Sequence, residues 1–501
     1  MASSEPSGET IGSSGIAAGR ATVSRLGQAM TAGLLSSAEL VRYYSERIER
    51  HNPALGAVIS VSTAAAAEAA AIDQARAGGA ALGPLAGIPV LIKDNIAAAG
   101  SPATAGSPAL LGAAAADAFL VGRLRAAGAV ILGKANLSEW ANFRSTESTS
   151  GWSALGGQAV NPHGTGRNPS GSSSGSAVAV AAGLAPVAVG TETDGSIVSP
   201  AHACGVVGIK PTLGLVSRVG IVPVSAEQDT AGPMATCVAD AAVLLGAMSG
   251  ADAKDPATEA AAGQPRDYAQ YLDPAALAGA RIGVWREGSG QATAAAVAVL
   301  DDVVALLRAC GAVIVDPVVL AGADKINDPE FIALRHEFKA DIDAYLAALG
   351  GEHPMSLADL IDFNARHAGQ VLTHFGQQIF EQAQATAGRS GEEYLSARQQ
   401  ARTLATGGLD GALTEHRLDA VLALSGNPAW LTDYLLGDHY TVGTSSPAAV
   451  AGYPAVTVPA GLVSGLPVGV TLVGPAWSEP RLIALAYALE QARAAPGASP
   501  G

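Results

Sequence analysis

Between residues 56 and 134 the chain alternates short apolar runs with Ala-rich stretches, and this alternation restricts the fold more than any other feature. "GAVISVS" reads as a strand and "TAAAAEAAAIDQARAGG" as a helix closed by glycine. "AGIPVLIKDNI" is an apolar run that stops at Lys93-Asp94, "DAFLVGRLRAAG" a helix and "AVILGK" a strand. Such alternation buries a sheet between helices, so an α/β architecture is expected. The pattern resumes later in the chain. "AVAVAAGLA" reads as a helix, "PVAVGT" and "GVVGIKPT" as strands, and the end returns to α/β with "YPAVTVPAG", "LPVGVTLVGPA" and the helix "EPRLIALAYALEQAR". Residues 22–50 predict a helix with a serine N-cap before Ala38-Glu39-Leu40 and with Leu40, Val41, Tyr44 and Ile48 as its apolar positions. Composition agrees. Apolar residues make up 49% of the chain but aromatics only 4%, so the core must come from Ala-rich helices packed closely on Val/Ile/Leu strands.

The 501 residues suffice for one large domain or two to three ordinary ones. No internal repeat and no clear linker divides them, so a single domain over 21–492 is expected. Within it, residues 320–420 are mostly helical, an excursion beside the sheet, with Phe331, Leu334, Phe338, Ile342 and Tyr345 on one face. Residues 1–20 and 493–501 read as disordered tails. The start lacks the basic and apolar regions of a signal peptide, and no apolar run reaches the ~18 residues of a membrane span. A cytoplasmic protein without a membrane partner is expected. Lys and Arg number 29 against 44 Asp and Glu, a formal charge of −15 with no basic run. That disfavours binding to a nucleic-acid backbone. The three cysteines, Cys204, Cys237 and Cys310, are too far apart for a C-x-x-C site, so neither a disulfide framework nor a metal is expected.

From Ser145 to Ser176 the residues Gly, Ser, Asn, Pro and Thr dominate. So long a run without periodicity inside a domain is usually functional or disordered. It contains "PSGSSSGSA", in which Gly171–Gly175 match the G-x-S-x-G nucleophile elbow centred on Ser173. An elbow needs a hydrophobic strand running straight into the serine, and here the polar "NPHGTGRNPS" precedes it. Nor does anything mark His416 or His439 as a partner, so an esterase built on Ser173 is only an alternative. "GAVILGKA" imitates a phosphate loop, but Ala135 stands where Ser or Thr would bind magnesium. A flexible linker is excluded because the block passes directly into an apolar helix. Beyond that helix, "GTETDGSIVSPA" sets a second small-residue turn after a strand. There the N–H groups of Thr193, Asp194, Gly195 and Ser196 can converge on an oxyanion.

Taken together, "GRNPSGSSSGSAVAVAAGLAPVAVGTETDGSIVSPA", "LAGIPVLIKDNI", "SAEQDTAGPMA" and "YPAVTVPAG" resemble segments of the amidase signature family. The likeness runs from about residue 22 to 490. It implies a large, mostly parallel or mixed β-sheet sandwiched between α-helices. It also implies cofactor-independent cleavage of C–N bonds by a Ser–cis-Ser–Lys triad through an acyl-enzyme. Carried over by motif, Ser196 is the nucleophile, Ser172 the bridging serine after a cis Gly171–Ser172 bond, and Lys93 the base. Lysine normally stays protonated, and an apolar approach such as "GIPVLIK" is what lowers its pKa enough for it to take a proton. Two departures stand out: Asp194 occupies a usual glycine position and Val198 a usual arginine position. Ser170 and Ser174 likewise replace usual glycines. This variant looks most like the bacterial peptide amidase branch, which acts on C-terminal carboxamides. The family also includes members acting on carbamates (urethanases), anilides (aryl acylamidases) and esters, and amidotransferase glutaminase subunits. "WANFRSTESTSGW" resembles the family's active-site loop, and Ser425–Gly443 is aromatic-rich. Thr149, Trp152, Trp430 and Tyr434 are therefore expected in the pocket wall. A peptide or small-molecule amide substrate, and a monomer or homodimer, complete the expectation.

Overall fold

The structure, a computed structural model, describes residues 10–11, 15–16, 21–114 and 116–494. Its strands are β1 (Val58–Val61), β2 (Pro89–Lys93), β3 (Val130–Ala135), β4 (Trp152–Ser153), β5 (Gly157–Gln158), β6 (Val187–Glu192) and β7 (Val207–Lys210). There follow β8 (Thr230–Ala235), β9 (Arg281–Trp285), β10 (Val313–Val318), β11 (Ala420–Leu424), β12 (Ala455–Val463) and β13 (Leu466–Val473). Eleven of them form one sheet in the order β1-β3-β2-β6-β8-β7-β12-β13-β11-β9-β10, while β4 and β5 make a small hairpin. The sheet is mixed. Parallel pairs β2–β3 and β2–β6 lie toward one end and β11–β9 and β9–β10 at the other, with antiparallel pairs between them. Helices sandwich it, the arrangement expected from the sequence. No helix among the described residues is long and apolar enough to cross a membrane.

The parallel block positions the chemistry. β2 is buried along its whole length and runs parallel to β6 with Ile92 opposite Val189. Lys93 at the end of β2 therefore meets Thr191 near the end of β6. β8 returns antiparallel beside β6 with Thr230 opposite Glu192, which brings Asp229 to the same edge. β8 has no obvious strand pattern because Gly232 and Pro233 sit inside it. The β7–β8 ladder covers only Met234 and Ala235, so the missing N–H of Pro233 interrupts none of its bonds.

The 22–50 stretch forms two helices rather than one, Val23–Thr31 and Ser37–Leu55, broken at Gly33 with φ +69°. The second begins with a capping box: Glu39 N–H donates to Ser36 Oγ and Ser36 N–H to Glu39 Oε2. Within the expected N-terminal tail, Ile11 and Ile16 pack into the main core; residues 1–9, 12–14 and 17–20 lie outside the described residues. At the other end the final helix runs through Ala494, and 495–501 lie outside them too.

The 320–420 region is helical in Asn327–Ala348, Leu357–Arg366, Ala368–Val371, Gln378–Gln384 and Glu392–Glu415. Leu334, Phe338 and Ile342 form a second hydrophobic core with Trp140, Phe143, Val222, Val224 and Phe380, and Phe331 and Tyr345 pack on it. In an aromatic-poor chain these rings cluster: Phe338 lies 5.2 Å from Phe143 and 5.1 Å from Phe380 between centroids.

Candidate active site

Lys93 is fully buried, and its Nζ lies 2.7 Å from Ser172 Oγ, 2.8 Å from Thr191 Oγ1 and 3.2 Å from the Thr191 carbonyl oxygen. Two other lysines are equally buried, and their surroundings differ. Lys134 Nζ sits 3.1 Å from the Asp94 carboxylate, and Lys210 lies in the field of Glu192 and Glu479. The direct partners of Lys93 are all neutral. Burial draws its pKa down to about 7, against a smaller opposing pull from Asp229 and Glu192. An amine that sheds its proton near neutrality, against a hydroxyl, can act as a base.

The Gly171–Ser172 peptide bond is cis, and Ser172 is fully buried. A Cβ on Gly171 would run into Ser138 Oγ, with Ser150 and Ser174 hydroxyls close behind. Ser170 takes φ +61°, and its turn is held by its N–H donating to Asn168 Oδ1 (2.7 Å) and by Ser174 Oγ–H donating to its carbonyl (2.6 Å). Serines thus stand in two usual glycine positions, one tolerating the left-handed backbone and one locking it. Ser173 takes no part in the cavity. Its hydroxyl is buried between the Thr191 carbonyl (3.0 Å) and N–H (3.2 Å). No histidine lines the cavity among the described residues; His202 is buried and holds the Gly469 N–H and the Asn427 carbonyl, and His439 faces Asp433. The esterase alternative on Ser173 is therefore corrected: that serine joins helix Ser174–Ala181 to β6.

Ser196 is 8% exposed and opens on a cavity of about 730 Å³ whose floor is Gly171 and Thr193–Ser196. Among the described residues, no protein group accepts from the N–H groups of Thr193, Asp194, Gly195 and Ser196. Gly195 makes the turn with φ +77°. Glu192 braces it from behind: its Oε2 accepts from Ile197 N–H (2.7 Å) and Val198 N–H (3.0 Å) at the start of helix Val198–Cys204. Val198 itself packs in an apolar cluster, so no charge replaces the usual arginine there. The Asp194 carboxylate accepts from Ser446 Oγ (2.6 Å) and neighbours the carboxyl of Glu330, and burial raises the pKa of both, Glu330 well above the ordinary range.

Of the expected wall residues only Trp430 lines the cavity. Thr149 Oγ1 donates to the Asp433 carbonyl (2.9 Å), Trp152 packs edge-on to Phe375 in a buried cluster, and Tyr434 stacks on His374. These three are corrected from wall to support: their contacts are with the Asp433 carbonyl, Phe375 and His374, outside the residues that line the cavity. Tyr440, Phe143, Phe331 and Leu334 supply the missing walls. Asp194, Glu287, Glu330 and Asp438 line it too, and no Lys, Arg or His does among the described residues. Sequence reasoning also missed Thr191, Glu192, Asn95 and Asp229. Thr191 and Glu192 stand inside the quoted "GTETDGSIVSPA" and Asp229 inside "SAEQDTAGPMA", but nothing in the strings says which atoms they touch.

The profile of the Amidase family matches residues 39–483. This chain belongs to the amidase family. It is an amidase signature enzyme that hydrolyses C–N bonds. The amidase is similar to the native peptide amidase from Stenotrophomonas maltophilia, with 49% identity and a TM-score of 0.89 over 94% of this chain and 96% of that one. It is 41% identical to a probable amidase of Arabidopsis thaliana over 94% of this chain and 90% of the relative. An amidase family protein from Bacillus anthracis is 36% identical, with a TM-score of 0.86 over 97% of this chain and 94% of that one.

Proposed function

We propose that this amidase removes ammonia from C-terminal carboxamides of peptides or other hydrophobic amides through an acyl-enzyme on Ser196. The observation that carries the reading is the buried, neutral-prone Lys93 amine 2.7 Å from the hydroxyl of Ser172, whose neighbour Gly171 lines, with Ser196, the floor of the main cavity. Ser196 Oγ attacks the carbonyl carbon as its proton passes to Ser172 Oγ, whose own proton passes to Lys93 Nζ. The oxyanion so formed accepts from the N–H groups of the Thr193–Ser196 turn. Collapse breaks the C–N bond, and the proton returns from Lys93 through Ser172 to the departing nitrogen, which leaves as ammonia. Water then repeats the sequence on the ester and frees the carboxylic acid.

Two features support a peptide carboxamide. The relative at 49% identity is a peptide amidase. The cavity offers apolar walls and four carboxyl groups but no cation among the described residues, so nothing in it pairs with the α-carboxylate of a free amino acid such as glutamine. That speaks against a glutaminase role within an amidotransferase. Its three cysteines are unpaired, which suits a reducing compartment, and we place the enzyme in the cytoplasm, working without a partner protein as a monomer or homodimer.

The test is ammonia release from an N-blocked dipeptide amide by the isolated chain, with anilides, carbamates and esters of the same acyl group compared by kcat/KM. Lys93→Ala, Ser172→Ala and Ser196→Ala are each expected to lose at least about 10²-fold in kcat. Turnover that survives Ser196→Ala would remove the reading. Preference for a carbamate or anilide over the carboxamide would move the substrate and leave the mechanism.

A further inference from the structure

Beside Ser172, next to the main cavity, lies a small space of about 10 Å³, lined on its polar side by Asn95, Ser172, Thr191, Thr193 and Asp229. That is about the room one water molecule requires. The hydrogen bonds around it do not close. Asn95 is 3% exposed; its Nδ2–H donates to Thr191 Oγ1 (2.9 Å), and its Oδ1 has no partner. Thr191 Oγ1 also lies 2.8 Å from Lys93 Nζ. With two donors aimed at it, its own hydrogen must go elsewhere. Asp229 accepts from Thr193 Oγ1 (2.6 Å) on one oxygen and from Val224 N–H (2.8 Å) and Ser225 N–H (2.9 Å) on the other. That leaves lone-pair capacity on the first oxygen. Reversing the Asn95 amide only exchanges the orphan: its oxygen then takes the Thr191 hydrogen and an N–H is left facing the space.

The geometry points to a structural water held by Asn95, Thr191 and Asp229, which makes Asn95 and Asp229 positioning residues for Lys93. This rests on the reading of Lys93 as the base. A neutral amine has two N–H bonds and one lone pair, and Lys93 has three neighbours. The Thr191 carbonyl only accepts. Once the Thr191 hydrogen is drawn toward the water or Asn95, Thr191 Oγ1 also only accepts from the amine. Both lysine N–H bonds are then assigned, and the lone pair is left to face Ser172, the group whose proton it must take. The same bridge ties the base to the oxyanion turn, since Asp229 also anchors Thr193.

The experiment pairs a high-resolution crystal structure of the enzyme with two variants. An ordered water within hydrogen-bond reach of both Asn95 and Asp229 is expected. Asn95→Leu fills the space with apolar atoms and is expected to lower kcat about 10- to 100-fold with KM within about twofold. Asn95→Ala leaves room for a second water and is expected to keep kcat within about fivefold of wild type. Density without water at this place, an unchanged kcat in Asn95→Leu, or a change confined to KM would overturn the inference. Should Asn95→Leu not fold, the crystal structure and a loss in Asn95→Ala as deep as 100-fold, which would exclude rescue by water, still decide. Turnover that survives Lys93→Ala strikes the reading of the base itself. Turnover lost in Lys93→Ala yet untouched in Asn95→Leu strikes this inference alone.

Discussion

Lys93 must shed its proton before it can accept one from Ser172. Burial places its pKa at about 7, against an ordinary value of about 10.4. The active form is the neutral one, so kcat/KM for a substrate that does not titrate is expected to rise with pH through about 7 and level off about one unit above. A profile flat from about pH 5 to 9 would contradict this assignment. Ser173 provides the contrast at one residue's distance. Ser173→Ala leaves the Thr191 N–H and carbonyl short of a buried partner, at a cost of about 1–3 kcal/mol in stability. Its kcat/KM is expected to stay within about tenfold of wild type, far above Ser196→Ala, as thermal unfolding and kinetics on the same samples will show. Which of three adjacent serines meets the lysine was legible in the motif. That Thr191 and Asn95 steer the lysine was not, because their effect lies in the direction of hydrogen bonds between segments about 100 residues apart.

Local signals set most elements. The Ser36–Glu39 capping box starts its helix, and Ser36→Ala is expected to lower stability by about 1 kcal/mol, read from chemical denaturation, without altering kinetics. Gly171 is an element-scale constraint of another kind. Its turn packs against three serine hydroxyls, so Gly171→Ala must displace Ser138 and is expected to lower kcat at least about tenfold even where the protein still folds. The β2, β3, β6, β12 and β13 strands are readable as apolar runs because both faces of the sheet are covered. β8 is not: Gly232 and Pro233 argue against a strand, and only the partial ladder to β7 makes room for them. The 22–50 stretch was readable as helical but not as two helices, since Gly33 breaks it without disturbing the apolar spacing on either side.

At the scale of the whole molecule, one buried cation joins the active-site loop to the helical excursion. Arg144 donates to Glu139 (2.5 Å) and to the carbonyls of Val371 (2.6 Å) and Phe375 (3.3 Å), with its guanidinium 4.4 Å from the Phe375 ring. Arg144→Ala leaves Glu139 buried without its counter-charge and is expected to cost about 3–5 kcal/mol. Hydrogen exchange should quicken first in residues 357–384, since that is where the carbonyl anchors are lost. Read alone, the sequence determined the α/β class and the apolar face of the helix at 327–348, and its likeness to the family pointed to Lys93, Ser172 and Ser196. Each is written in neighbouring residues, by periodicity or by a contiguous motif. Only the tertiary structure decided the mixed sheet order, the neutral surroundings that separate Lys93 from Lys134 and Lys210, the meeting of Asp194 with Glu330, and which aromatic rings face the cavity. These depend on what distant segments place around a side chain, and burial, charge and hydrogen-bond direction do not exist until those segments have met.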